Sequence, residues 1–237
     1  MNYFWLTFKA IFVKDIVTEF RAKQVLSTMV VLGMLIVWII RIASEAAAVN
    51  QAIMGSAALW IAFLFSGLLA QERSFAVEQE HDCIYGRLLA PVDESTIFLA
   101  KMLVNVVMLC IFEIIIVPLV CLSFNLSVDN RWSELIAVML LGNIGISAIG
   151  TLFSAVTQLS RMRGPLLSII VLVILMPMMV PAVFVLLVIF GVLPQEVSGS
   201  GVLSFVGSFK SAVGYIIVFD AVFTVVCWLL FGFMIRE

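Results

Sequence analysis

Six stretches of this chain are too long and too apolar for a water-soluble fold. They cover residues 25–42, 52–70, 96–124, 134–159, 165–192 and 212–235, and short polar segments separate them. A helix needs about 20 mostly apolar residues to cross a bilayer core roughly 30 Å thick. Of the 237 residues, 64% are hydrophobic and 12% are charged, about half the roughly 25% charged content of a soluble domain. Mean hydropathy is +1.23. The predicted fold is therefore all-α: a polytopic membrane protein with six transmembrane helices, forming one domain over residues 1–237. The net charge of −2 suggests no nucleic-acid partner. Cys83, Cys110, Cys121 and Cys227 form no C-x-x-C pair, and three of them lie in apolar runs. They read as small apolar fillers, not as a disulfide framework or zinc site.

Residues 3–23 have a different pattern. Trp5, Phe8, Phe12, Ile16 and Phe20 recur at steps of three and four, while Lys9, Lys14, Thr18, Arg21 and Lys23 lie beside or away from that stripe. This predicts an amphipathic helix lying in the membrane surface. Charges run through the whole segment, so it is not expected to act as a cleaved signal peptide. Orientation follows from the basic residues. With the N-terminus in the cytoplasm, Lys9, Lys14, Arg21, Lys23, Arg73, Arg87, Lys101, Arg161, Arg163 and Arg236 lie inside, ten of the thirteen. Arg41, Arg131 and Lys210 lie outside. Six spans then place both termini inside.

The longest charged connection, 71–95, falls on the inner side in this topology. Glu72, Glu78, Glu80 and Asp82 are interleaved with Arg73 and Arg87, and Leu88, Leu89 and Ala90 form an apolar step before Pro91. A short amphipathic helix under the membrane and a solvated connector are both open readings of this pattern.

The stretch 59–105 combines an L-W…F-L-F apolar helix, Arg73-Ser74-Phe75 with Glu78 and Glu80, Leu88 to Pro91 with Asp93, and Lys101 with Asn105. In these elements it resembles the heme exporter protein B (CcmB) family. Glu113 to Pro118 and the glycine-rich run 142–155 also fit. The resemblance is good over roughly 59–181, and the flanking helices match in character. It implies an ABC-2-type permease in the bacterial inner membrane, working as a homodimer over two CcmA-like ATP-binding subunits. CcmC-like and CcmD-like membrane subunits and a CcmE-like heme chaperone are the other implied partners, with heme as cargo in cytochrome c maturation. On that reading 71–95 couples to the ATPase: Glu78, Glu80, Asp82 and Asp93 meet basic groups, while Leu88, Leu89 and Pro91 fill a groove. The chain itself has no G-x-x-x-x-G-K-[ST] loop, so ATP enters only through a partner and no enzyme activity is expected here. The alternatives are an ABC-2-type exporter of a lipid-linked glycan or a drug, and a membrane scaffold that transports nothing.

Glu113 stands out within the spans. It lies twelve residues beyond Lys101, about 18 Å along a helix, so if Lys101 snorkels to the inner surface, Glu113 sits near mid-bilayer. An ionised carboxylate there costs about 2.5 kcal/mol or more. Asn105, Asn143, Ser147 and Gln158 are candidate partners, and a gate and a packing hydrogen bond are both open roles. Pro118, Pro177 and Pro181 predict bent helices, and Gly142, Gly145 and Gly150 predict close helix packing. His81, the single histidine, falls among acids in the 71–95 segment and reads as a solvated side chain. An intramembrane enzyme would need a cluster of groups at depth, and Glu113 reads as a lone carboxylate.

Overall fold

The computed structural model describes residues 2–22, 24–80, 94–159, 166–196 and 207–235. Seven helices account for nearly all of them: α1 (Asn2–Ala22), α2 (Gln24–Ala46), α3 (Gln51–Glu80), α4 (Glu94–Ser123), α5 (Trp132–Leu159), α6 (Leu166–Ile189) and α7 (Phe209–Ile235). The described residues contain no strand beyond one isolated bridge between Glu196 and Ser208. α2 to α7 each contain a segment long and apolar enough to span a membrane, in agreement with the six predicted spans.

Local chemistry ends these helices on one side of the bundle. Asn50 caps α3, its side-chain oxygen accepting from the Ala52 amide at 2.9 Å. Asn125 ends α4 with φ at 51°, and the Leu126 amide reaches back to the Cys121 carbonyl at 2.9 Å. Gly191 ends α6 with φ at 71°, a left-handed conformation that costs glycine little. Arg131 satisfies a further carbonyl at the end of α6, donating to Val188 at 3.0 Å.

The helices are not equivalent. α5 is the central one: 72% of its most apolar window is buried, against 22% for α2 and 28% for α4 and α7. It packs against α3, α4, α6 and α7. Its sequence allows this, because Gly142, Gly145, Ser147, Ala148 and Gly150 let neighbouring helices come close. A Cβ on Gly142 would stand 2.9 Å from the Trp60 ring, and Trp60 and Phe63 of α3 fill that space edge to face.

The structure adds two details. The polar segment after the second span, for which helix and connector were both open, begins as helix. α3 continues as helix through Glu80, although its apolar window ends at Gln71. Lys101 does not snorkel to a free surface: it is 4% exposed and pairs with Asp15 of α1 at 3.5 Å. α1 is docked along α4 and touches α2. Its stripe divides accordingly. Phe8, Phe12 and Ile16 are half-buried, whereas Trp5 and Phe20 stay exposed. Phe4, Phe8 and Phe12 stack in a ladder along α1.

Candidate functional site

The polar residues of the spans gather around α5. With 100° between successive residues of a helix, the run GNIGISAIGT (142–151) presents polar or vacant positions to several neighbours at once.

Towards α4, Asn143 donates to Glu113 Oε2 at 3.0 Å and to Cys110 Sγ at 3.3 Å. Two turns further along, Asn105 donates to Thr151 Oγ1 at 3.0 Å. All four of Asn105, Glu113, Asn143 and Thr151 are buried. The two bonds lie on one seam because positions 143 and 151 are eight residues apart, close to two full turns and more. Towards α3, Gln71 lies across Gly150 and donates to the Ile146 carbonyl at 3.1 Å. A Cβ on Gly150 would occupy the place of the Gln71 amide. Towards α7, Gly145 forms a notch that receives Asp220, where a Cβ would be 2.5 Å from the carboxylate Oδ1.

Of the Glu113 partners proposed from sequence, the structure selects Asn143. Asn105 belongs to Thr151, and Ser147 is buried with its hydroxyl unbonded. Gln158 lies in α5, but its side chain is outside the described residues. Pro118 is exposed on α4 and takes no part in the seam. Glu78 and Glu80 lie in the terminal turn of α3, with side chains that are not described, and Asp82, Leu88, Leu89, Pro91 and Asp93 lie outside the described residues, as does His81.

Glu113 is not the lone carboxylate at membrane depth. Asp220 was overlooked, although it is the one charged residue between Lys210 and Arg236. The rule that singles out Glu113 also finds Asp220. Glu113 lies ten residues from the end of its span at Ser123, Asn143 eleven from Trp132, and Asp220 eleven from Phe209. All three therefore sit about 15–17 Å from the same end of the bundle. Four oxygens on these three residues have no hydrogen-bond partner, Glu113 Oε1, Asn143 Oδ1 and both of Asp220, and Ser147 Oγ, one turn along α5 from Asn143, and Trp60 Nε1 of α3 are also unbonded. Orphaned buried groups are rare in native proteins. Their concentration around one helix marks this level as the candidate site.

A second polar level lies nearer the other end of the bundle. Glu19 of α1, Gln71 of α3 and Asn105 of α4 line a small recess with Gly67, Val104 and Leu109. The buried Lys101–Asp15 pair also joins α1 to α4. Among the described residues no three His, Cys, Asp or Glu side chains converge as metal ligands, and Cys110, Cys121 and Cys227 are free thiols.

A central helix with polar and vacant positions, enclosed by apolar spans, defines a multi-pass helical membrane protein with a polar interior. Residues 6–225 match the family model described as CcmB protein, and the chain belongs to that family. It is also 31% identical over 127 residues to the heme exporter protein B of Haemophilus influenzae. That match covers 54% of this chain and 57% of the relative, so the chain spans little more than half the length of the curated relative it matches.

Proposed function

We propose that this chain is the permease subunit of an ABC-type complex that handles heme for cytochrome c maturation. The name of its relative, heme exporter protein B, supports heme as cargo, and the family match supports the permease role over nearly the whole chain. The complex sits in the bacterial inner membrane with both termini of this subunit in the cytoplasm. A CcmA-like partner hydrolyses ATP, CcmC-like and CcmD-like subunits complete the membrane part, and a CcmE-like chaperone receives the heme. Two copies of this chain form the transmembrane body, and α1 lies in the membrane surface.

The observation that carries this reading is the continuation of α3. Its apolar window ends at Gln71, yet the helix runs on to Glu80, about 13 Å further. A rigid polar extension of a buried span is suited to pass a push from a cytosolic motor to the bundle core, because Gln71 at its root bonds directly to α5. The 71–95 segment is then the coupling element. Leu88, Leu89 and Pro91 supply the buried contact and Glu78, Glu80, Asp82 and Asp93 the rim, so most of the binding energy sits in the leucines.

Two measurements test this. Leu88→Ala with Leu89→Ala lowers recovery of the ATPase in co-purification more than Glu80→Ala does. Unchanged recovery with both leucines removed rejects the coupling role. In a reconstituted complex, release of heme and of the loaded chaperone depends on an active ATPase. Equal release with an ATPase-dead partner rejects the motor and favours a scaffold.

A further inference from the structure

Asp220 lies outside the hydrogen-bonded seam, and among the described buried side chains it is the carboxylate that makes no hydrogen bond. It is 4% exposed, and neither oxygen has a partner. Beside it stand Gly145 of α5 and the Met178 sulfur of α6, which approaches the same point as the carboxylate. No charged or titratable group among the described residues bonds to it. α6 has none between Leu166 and Ile189. α5 has Glu134, at its outer end, where it pairs with Arg131. α4 carries Glu94, Lys101, Cys110, Glu113 and Cys121. Of these, Lys101 turns to Asp15, and Cys110 and Glu113 turn to Asn143. On α7 itself Lys210 is ten residues away, about 15 Å. Tyr215 is exposed and Cys227 is a buried free thiol two turns on.

No cation among the described residues pairs with Asp220. An ionised carboxylate in this notch has given up its hydration and received neither a charge partner nor a hydrogen bond. We propose that Asp220 is a proton-binding site of the working cycle. The packing of α5, α6 and α7 seen here holds the side chain as a neutral acid, and separation of α7 from α5 lets water in and releases the proton. The step is a simple one: the carboxylic O–H bond breaks, the proton passes to an entering water, and the hydrated carboxylate remains. On closure the carboxylate takes a proton back from water before Gly145 and Met178 seal the notch. Met178 lies between Pro177 and Pro181, where α6 lacks two backbone donors, so the wall of the notch is the most easily bent part of that helix. The alternation of packings rests on the permease reading, whereas the state of the acid in the closed bundle does not.

The test uses the full chain with its partner subunits in liposomes of neutral phosphatidylcholine. Infrared absorption across the neutral pH range shows a protonated carboxylic C=O stretch in the wild type. Asp220→Asn removes one component of that band in the difference spectrum, and Glu113→Gln leaves that component in place. ATP-driven turnover of the wild type changes by up to about tenfold per pH unit where proton loss limits, and Asp220→Asn flattens this profile. Should Asp220→Asn fail to accumulate, Asp220→Glu keeps an acid and must keep the band. A wild type without the band, a band unchanged in Asp220→Asn, or a pH profile unchanged by that substitution overturns the proposal. Complete absence of ATP-driven turnover in the wild type overturns the permease reading instead, and the band alone then decides the proton site.

Discussion

The two flanks of α5 treat the same chemical problem differently. Towards α4, a buried acid is met by an amide: Glu113 accepts from Asn143, and Asn105 and Thr151 bond on the same seam. Towards α7, a buried acid is met by space: Asp220 enters the Gly145 notch and bonds to nothing. Both acids lie at the same depth. The first flank is a structural bond whose loss leaves a polar partner stranded. The second is a site where the protein has kept a carboxyl that packing alone does not require. That difference separates a group that holds helices together from one that is available for a change of state.

The comparison can be strained hardest at the notch. Gly145→Leu drives a side chain into the Asp220 carboxyl and Met178, and we expect destabilisation of about 3 kcal/mol, the upper range for overpacked cores. Thermal unfolding in detergent, followed by circular dichroism, reads this. A stable Gly145→Leu variant means that α7 is not seated against α5 as described.

On the other flank, Glu113→Leu leaves the Asn143 amide with only the Cys110 sulfur to bond, at a cost of about 1–3 kcal/mol. Adding Asn143→Leu to that variant recovers part of the loss. The coupling between the two positions should lie at about 0.6–1.7 kcal/mol, the range for hydrogen bonds between membrane helices. Additive effects break the seam as an energetic unit. Asn105→Ala removes a single interhelical bond, and about 0.6–1 kcal/mol is expected by the same measurement.

The smallest effect on stability belongs to Asp220→Leu. Replacing an unbonded buried polar group by an apolar one of similar size is close to neutral or slightly stabilising. The folded protein should survive while the pH dependence of turnover disappears. A loss as large as that of Glu113→Leu would place Asp220 in a structural bond and erase the contrast between the flanks.

Much of the fold was legible in the sequence for a physical reason. Lipid cannot hydrogen-bond a backbone, so an apolar run of about 20 residues has little choice but to become a spanning helix. Hydropathy reads such runs without knowledge of neighbours. The spans, the glycine-rich fourth span and the place of Glu113 inside a span all follow from the order of residues along the chain. Asp220 was equally legible, since it interrupts an apolar run in the same way. That Lys101 has no free surface to reach was not legible, because it depends on α1 covering that position with Asp15.

What the sequence could not settle is which face of each helix meets which neighbour. Asn143 and Gly145 are two residues apart, yet they serve opposite flanks, because a helix turns about 200° between them. Whether an acid on another helix then finds an amide or a vacancy depends on how α4 and α7 are placed around α5. The sequence by itself determined that polar groups would sit at membrane depth within apolar helices. Only the tertiary packing decided that Glu113 would be bonded and Asp220 left with its oxygens unpaired, because pairing depends on distances set by several helices at once.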